Sequence, residues 1–221
     1  MNKSLLNEHQ LESLGNQLDK GIVALELKVE DNKRQKLLAY LQLFHKWNRT
    51  YNLSAVREPE VMVHRHLLDS LAIASHITGD NFIDVGTGGG LPGIPLAILF
   101  PERQFTLLDS AGKKTRFLFQ VKTSLGLTNV QVENRRVESF QPEQLFDGVI
   151  SRAFASLEDM VSGCNHLLDD DGLFWAMKGQ YPEAELSVLE KHYKVVEALR
   201  LEVPGGDGER HLMVLKQDRP R

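Results

Sequence analysis

One cysteine, Cys164, stands in a chain of 221 residues. A lone thiol excludes an internal disulfide and any zinc site built on several cysteines, and it fits a reducing compartment. Long apolar runs are missing too. No stretch approaches the ~20 residues that cross a bilayer, and the opening MNKSLLNEHQ is polar rather than a basic-then-apolar leader. These absences predict a cytoplasmic protein with no membrane partner. There is no G-x-S-x-G to present a nucleophilic serine, and no histidine or cysteine partner at metal-ligand spacing, so neither a hydrolase nor a metal site is expected. Bulk positive charge is also absent: 26 Lys and Arg face 30 Asp and Glu, for a net charge of −4. That balance argues against a protein that coats nucleic acid through overall charge.

What the chain does have begins with Asn81 to Gly93, NFIDVGTGGGLPG. Phe82, Ile83 and Val85 form the apolar, β-rich run of a buried parallel strand, with Asp84 near its carboxyl end. Gly86, Gly88, Gly89 and Gly90 follow at once and let a ligand lie directly on the main chain. Pro92 suits the first turn of a helix that runs on to Leu99. Strand, glycine turn and helix in this order build a nucleotide pocket at the carboxyl edge of a sheet. Gly88, Gly90 and Gly93 satisfy G-x-G-x-x-G, a pattern shared with dinucleotide dehydrogenases and with ligand-free turns. A second strand, Phe105 to Leu108, ends in Asp109, about 20 residues beyond the glycines, where a carboxylate reaches ribose hydroxyls.

The length suits one α/β domain plus an appendage. Leu5, Leu6, Leu11, Leu14 and Leu18 suggest a first amphipathic helix, with Gly21 expected to break it. A second helix is expected from Asp31 as N-cap, with Leu37, Leu41 and Phe44 facing the core and Lys46, Arg49 and Tyr51 exposed near its end. Pro59 opens one or two further helices. Residues 1–77 thus read as a helical cap, and residues 78–221 as the nucleotide fold. Beyond the first two strands, a helix over 112–127, a strand over 129–133, a strand over 146–150, a helix over 156–168, a strand over 172–178 and a helix from Pro182 to about His192 continue the alternation of an open parallel sheet. Two final runs, 194–203 and 210–216, are joined by PGGDGE and read as an antiparallel hairpin. A dehydrogenase sheet normally continues in parallel; a closing hairpin is what the class I methyltransferase fold has.

Two islands of positive charge interrupt the acidic background. Between Lys33 and His66 seven cations face two acids, and between Gly112 and Arg136 six face one. They could grip a phosphate backbone at chosen places, or they could be solvated helix faces. In the cap, HRHLLDS places His66, Asp69 and Ser70 at helical spacings of three and four, so they share a face. Holding the cap to the sheet is one role for them and contact with a substrate the other.

FIDVGTGGGLPGIPLA, LLDSAGKKTRFLFQV, RRVESF, FDGVISRAFAS, AMKG and GERHL, with RHLLDS upstream, closely resemble the bacterial small-subunit ribosomal RNA methyltransferase G family, also called glucose-inhibited division protein B. The resemblance covers nearly the whole chain from the second helix onward. Some members have proline in the glycine turn where this chain has Gly89. The resemblance implies a class I Rossmann-like fold, S-adenosylmethionine as cofactor, and methylation of guanine N7 in 16S ribosomal RNA, free or in the small subunit. It places Gly86 and Leu91 against the cofactor, Val137 and Glu138 at the adenine, and Arg152 at the edge of the fourth strand, as a cofactor or substrate-positioning residue. Gly88 and Asp109 join this set on the physical grounds above, and free N–H groups near Leu91 are expected to meet the methionine carboxylate. In this reading Lys113, Lys114, Arg116, Arg136, Lys178 and Arg210 are the RNA contacts, and one copy of the chain suffices. No side chain is expected to act as a general base. Methyl transfer to a small molecule or protein, a nicotinamide-dependent oxidoreductase and a non-catalytic RNA-binding module are the rival readings.

Overall fold

A computed structural model describes residues 6–189 and 193–218. Seven strands form one sheet in the order β3-β2-β1-β4-β5-β7-β6. β1 (Asn81–Val85), β2 (Gln104–Leu108), β3 (Val130–Glu133), β4 (Phe146–Ser151) and β5 (Leu168–Lys178) are parallel, and β7 (His211–Gln217) lies antiparallel between β5 and β6 (Tyr193–Arg200). The parallel order with a terminal hairpin is the one expected from the sequence.

Alternation along the strands sends side chains to two cores. Phe82, Phe105, Leu107 and Trp175 pack on one face with the N-terminal helices, while Ile83, Leu108, Val149 and Phe174 pack on the other with α7 (Leu157–Cys164). Val85 pairs with Leu108, Leu108 with Glu133, and Asp84 with Ile150. Strand ends are therefore level, and Gly86, Asp109, Asn134 and Arg152 all begin loops at one edge.

The cap consists of α1 (Glu8–Ala24), α2 (Asp31–Tyr51) and a continuous turn-on-turn segment in which α3 (Pro59–Met62) passes through a π-helix (Val63–Leu68) into α4 (Asp69–Leu71). Its core is not separate: Leu14, Leu18, Leu41 and Phe44 belong to the same cluster as Phe82, Ile94 and Leu118. Leu5 lies outside the described residues. Gly21 does not end α1; the helix continues to Ala24, and a Cβ at Gly21 would strike the Leu68 side chain. The glycine is a site of close helix approach rather than a stop. Nor is Asp31 the N-cap of α2. Glu30 holds that place without a side-chain bond, and Asp31 sits in the first turn, where its charge favours the positive helix end.

α5 (Gly93–Leu99) and α6 (Gly112–Leu125) cover β1 and β2. The predicted helix over 156–168 is shorter, closing as a 3₁₀ turn at Asn165–Leu167, and β5 starts earlier than expected, at Leu168. α8 spans Glu183–Val188; residues 190–192 of the expected helix lie outside the described residues. Between β3 and β4 the described chain forms only a 3₁₀ turn, Val137–Ser139.

Candidate active site

The glycine turn is built from its hydrogen bonds. Asp84 is buried at the end of β1, and its Oδ2 accepts from Thr87 Oγ1 at 2.7 Å and from Gly93 N at 2.8 Å, closing the turn onto α5. Burial raises the Asp84 carboxyl to about 6, and its Oδ1 is buried without a partner. Gly86, Gly88 and Gly90 have positive φ. At Gly88 the space a side chain would fill is open, whereas a Cβ at Gly89 would collide with Phe44 of α2. Tyr40 of α2 donates to the Gly89 carbonyl at 2.7 Å, so the cap clamps the turn from behind. The free N–H groups expected near Leu91 are not there: Leu91 N donates to Thr87 O, Ile94 N to Gly90 O, and Gly93 N to Asp84.

Two hollows adjoin this turn and share Gly86 and Ala153. The first, about 310 Å³, is lined by Gly86, Asp109, Lys114, Arg136, Val137 and Glu138, among others. Asp109 accepts from Gly88 N and Ala111 N, each at 2.9 Å, and its Oδ2 faces Lys114 Nζ at 3.4 Å. Asn134 ties down the same loop by donating to the Asp109 carbonyl. Glu138 is exposed at the lip, with half-buried Val137 beside it. The second hollow, about 220 Å³, is lined by Phe44, Ser54, His66, Gly88, Leu91 and Arg152, among others. Gly86, Gly88, Leu91, Asp109, Val137, Glu138 and Arg152 are thus brought together around these two adjoining hollows.

Arg152 is held from the cap. Asp69, only 3% exposed in its side chain, lies 3.1 Å from Arg152 Nη1 and accepts from Arg210 Nε at 2.7 Å. His66 Nε2 is 3.0 Å from Ser54 Oγ, and Ser70 Oγ donates to the His66 carbonyl. Burial lowers His66 to about 4, so the imidazole facing the second hollow is neutral at physiological pH. HRHLLDS therefore supplies a brace between cap and sheet through Asp69, and a wall of the hollow through His66. Holding the cap to the sheet is one of the two roles the sequence offered for this cluster; what it did not show is the partners, since both arginines come from distant loops.

The basic residues separate into two groups. Lys113, Arg116 and Arg136 are exposed near the cleft. Lys114 instead faces Asp109 inside it, Arg210 pairs with Asp69, and Lys178 is 2.8 Å from Glu185 and donates to the Ala155 carbonyl.

No helix among the described residues is long and apolar enough to cross a membrane, and no metal-ligating cluster is found among them.

Solved structures share the architecture. An N-methyltransferase NodS from Bradyrhizobium japonicum WM9, in complex with S-adenosyl-L-homocysteine, aligns with TM-score 0.56 at 14% identity, over 80% of this chain and 99% of that one. A ribosomal protein L11 methylase from Lactobacillus delbrueckii subsp. bulgaricus aligns with TM-score 0.54 at 16% identity, over 69% and 77%. Sequence relatives are far nearer. The ribosomal RNA small subunit methyltransferase G of Saccharophagus degradans is 62% identical over 87% of this chain and 86% of its own length. That of Cellvibrio japonicus is 56% identical over 94% and 97%, and that of Escherichia coli (strain K12 / DH10B) 53% over 87% and 93%. With the model for rRNA small subunit methyltransferase G matching residues 33–213, the chain belongs to the ribosomal RNA small subunit methyltransferase G family.

Proposed function

We propose that the protein transfers a methyl group from S-adenosylmethionine to N7 of a guanine in 16S ribosomal RNA. Family membership carries the reaction class and the substrate; the roles of individual residues rest on the geometry. The observation that carries them is the pair of adjoining hollows, which gives a nucleoside-sized pocket and a second space opening on the same glycine turn.

The residues present fit the cofactor. Gly88 has positive φ and open space where a side chain would stand, so the main chain is bare to the cleft. Asp109 Oδ1 accepts from Ala111 N and keeps a lone pair for a ribose hydroxyl. Glu138 at the lip suits the N6 donor of adenine, with the backbone at Val137 beside it. Gly86 and Leu91 frame the passage between the hollows. Because the N–H groups at the start of α5 are occupied, Arg152 is the cation placed for the methionine carboxylate, an RNA phosphate or guanine O6.

The bound cofactor supplies a sulfonium methyl. Guanine N7 has a lone pair in the plane of the neutral base, so no proton leaves before attack and no general base is required. Alignment in a water-poor space is the main contribution of the protein, worth up to ~7–11 kcal/mol. Positive charge moves onto the purine during transfer, and a cation against N7 would oppose that step. The second hollow is suited to this: its imidazole is neutral, and the Arg152 charge is offset by Asp69. One chain holds all of these residues, so we infer that a monomer in the cytoplasm is sufficient. Lys113, Arg116 and Arg136 remain available for RNA, while Lys114, Lys178 and Arg210 act inside the fold.

The test is transfer of labelled methyl to ribosomal RNA from cells lacking this protein, followed by mapping of the base. Label at N7 of one 16S guanine is expected. Unlabelled RNA with label on a small molecule or protein would overturn the reading.

A further inference from the structure

A third hollow, outside the cleft, is lined by His45, Asn48, Arg49 and Arg57 and measures about 410 Å³. It lies against the carboxyl end of α2, and among the described residues its lining carries no carboxylate. Arg57 donates to the Asn48 carbonyl at 2.6 Å and also to Asn52 Oδ1, both neutral oxygens. No ion pair cancels its charge among the described residues. The guanidinium is thus fixed in place by backbone and amide groups, with further N–H donors left over. His45 and Arg49 both line the hollow, and burial, with the neighbouring Arg49, lowers His45 from its usual value. Glu60 is the acid that also acts on His45, and it is not part of the lining.

The loop over 52–57 is the partition between this hollow and the cleft. Asn48, fully buried, stitches it down: its Nδ2 donates to the Val56 carbonyl at 2.6 Å and its Oδ1 accepts from Ser54 N at 2.7 Å. Ser54 and Leu53 face the second hollow beside His66, and Arg57 faces the basic one. At the same helix end Tyr51 is 41% exposed. Its ring lies 4.9 Å from Trp47 at 32°, Trp47 lies 5.5 Å from Phe117, Phe117 5.7 Å from Phe44, and Phe44 5.0 Å from His66. A rigid row of rings therefore leads from the surface to the wall of the cleft. Lys46 is exposed on the same helix, and Lys113 and Arg116 are exposed on α6, which packs against α2.

We propose that this basic hollow and Tyr51 form the docking subsite for the single-stranded RNA next to the methylated guanine, Arg57 holding a backbone phosphate and Tyr51 stacking a neighbouring base. The subsite rests on the RNA methyltransferase reading above. A base taken into the cleft leaves its neighbours unstacked, and an exposed, backed aromatic ring beside a fixed guanidinium is the chemistry that receives them. A pocket with this charge and no acid in its lining suits a phosphate better than a protein surface of mixed sign.

Tyr51→Ala, Tyr51→Phe and Arg57→Gln are to be compared with the unaltered protein. Binding to naked 16S RNA and to small subunits lacking the modification is read over a salt series, alongside cofactor affinity by calorimetry and thermal melting. Tyr51→Ala is expected to weaken RNA binding about tenfold, with Tyr51→Phe restoring it. Arg57→Gln should reduce the salt slope by about 0.7, with cofactor affinity unchanged. RNA binding and salt slope equal to the unaltered protein in folded variants would overturn the subsite. A loss confined to assembled subunits, with naked RNA unaffected, would assign the surface to a ribosomal protein and overturn it too. Failure of the unaltered protein to methylate RNA would instead defeat the functional reading itself.

Discussion

Asp69 Oδ2 lies 3.1 Å from Arg152 Nη1, joining the cap to the loop after β4 beneath the second hollow. The same carboxylate holds Arg210, so one buried charge orients two guanidinium groups, one from the loop after β4 and one from the loop before β7. Asp69→Asn keeps the shape and removes the charge. Stability should fall by about 2–4 kcal/mol, less than for a fully buried triad because both arginines are partly exposed. Methyl transfer should fall with it as Arg152 loses its anchor. Urea unfolding and initial rates check this, and a variant within ~0.5 kcal/mol of the parent would show the brace to be dispensable.

Asp84 gives a pH dependence with a definite sign. Its folded value, about 6, lies above the ordinary 3.8 because burial disfavours the charged form. The folded chain therefore binds this proton more tightly than the unfolded chain between those two values. The contribution of Asp84 to stability consequently declines as pH rises from 3.8 to 6 and is flat above. Asp84→Asn removes that slope while keeping an acceptor for Gly93 N and Thr87. Urea unfolding of both proteins from pH 4 to 8 should show the parent losing about 2.5 kcal/mol relative to the variant across the window. Parallel curves would contradict the shift.

Gly89 and Phe44 form a close approach that no side chain can share. Gly89→Ala should cost about 1–3 kcal/mol by overpacking, and Phe44→Leu in the same chain should return part of it. The coupling from the double-mutant cycle should exceed ~0.5 kcal/mol. Additive changes would mean that the turn moves away from α2 instead.

Lys114 and Lys113 are adjacent in sequence yet should behave differently. Lys114→Gln removes a cation facing Asp109 in the first hollow and should change cofactor affinity, several-fold by calorimetry. Lys113→Gln, on an exposed side chain, should leave cofactor affinity alone and lower the salt slope of RNA binding by about 0.7. Identical behaviour of the two would show that the 3.4 Å contact carries no weight.

The sheet and the glycine turn were legible because their signals are local. Apolar strand runs, positive-φ glycines and the terminal PGGDGE turn each fix structure over a few residues. The gathering of Asp109, Val137 and Glu138 followed from level strand ends. What sequence could not display depends on distant partners. Gly21 has the local mark of a helix stop, but contact with Leu68 keeps it in the helix. Arg210 meets Asp69 from 141 residues away, so it reads in sequence as a surface cation. Lys178 reads the same way until Glu185 on α8 is placed beside it. The N–H groups near Leu91 looked free because the internal acceptors, Asp84 and the carbonyls of Thr87 and Gly90, become close only when the turn closes.

The most direct measurement is a crystal structure with S-adenosylmethionine or its demethylated product bound. The account predicts the adenine beside Val137 and Glu138, the ribose at Asp109, and the sulfur near Gly86 with the methyl directed into the hollow walled by His66 and Arg152. An adenosyl group seated elsewhere, or a methyl directed away from that hollow, would contradict it.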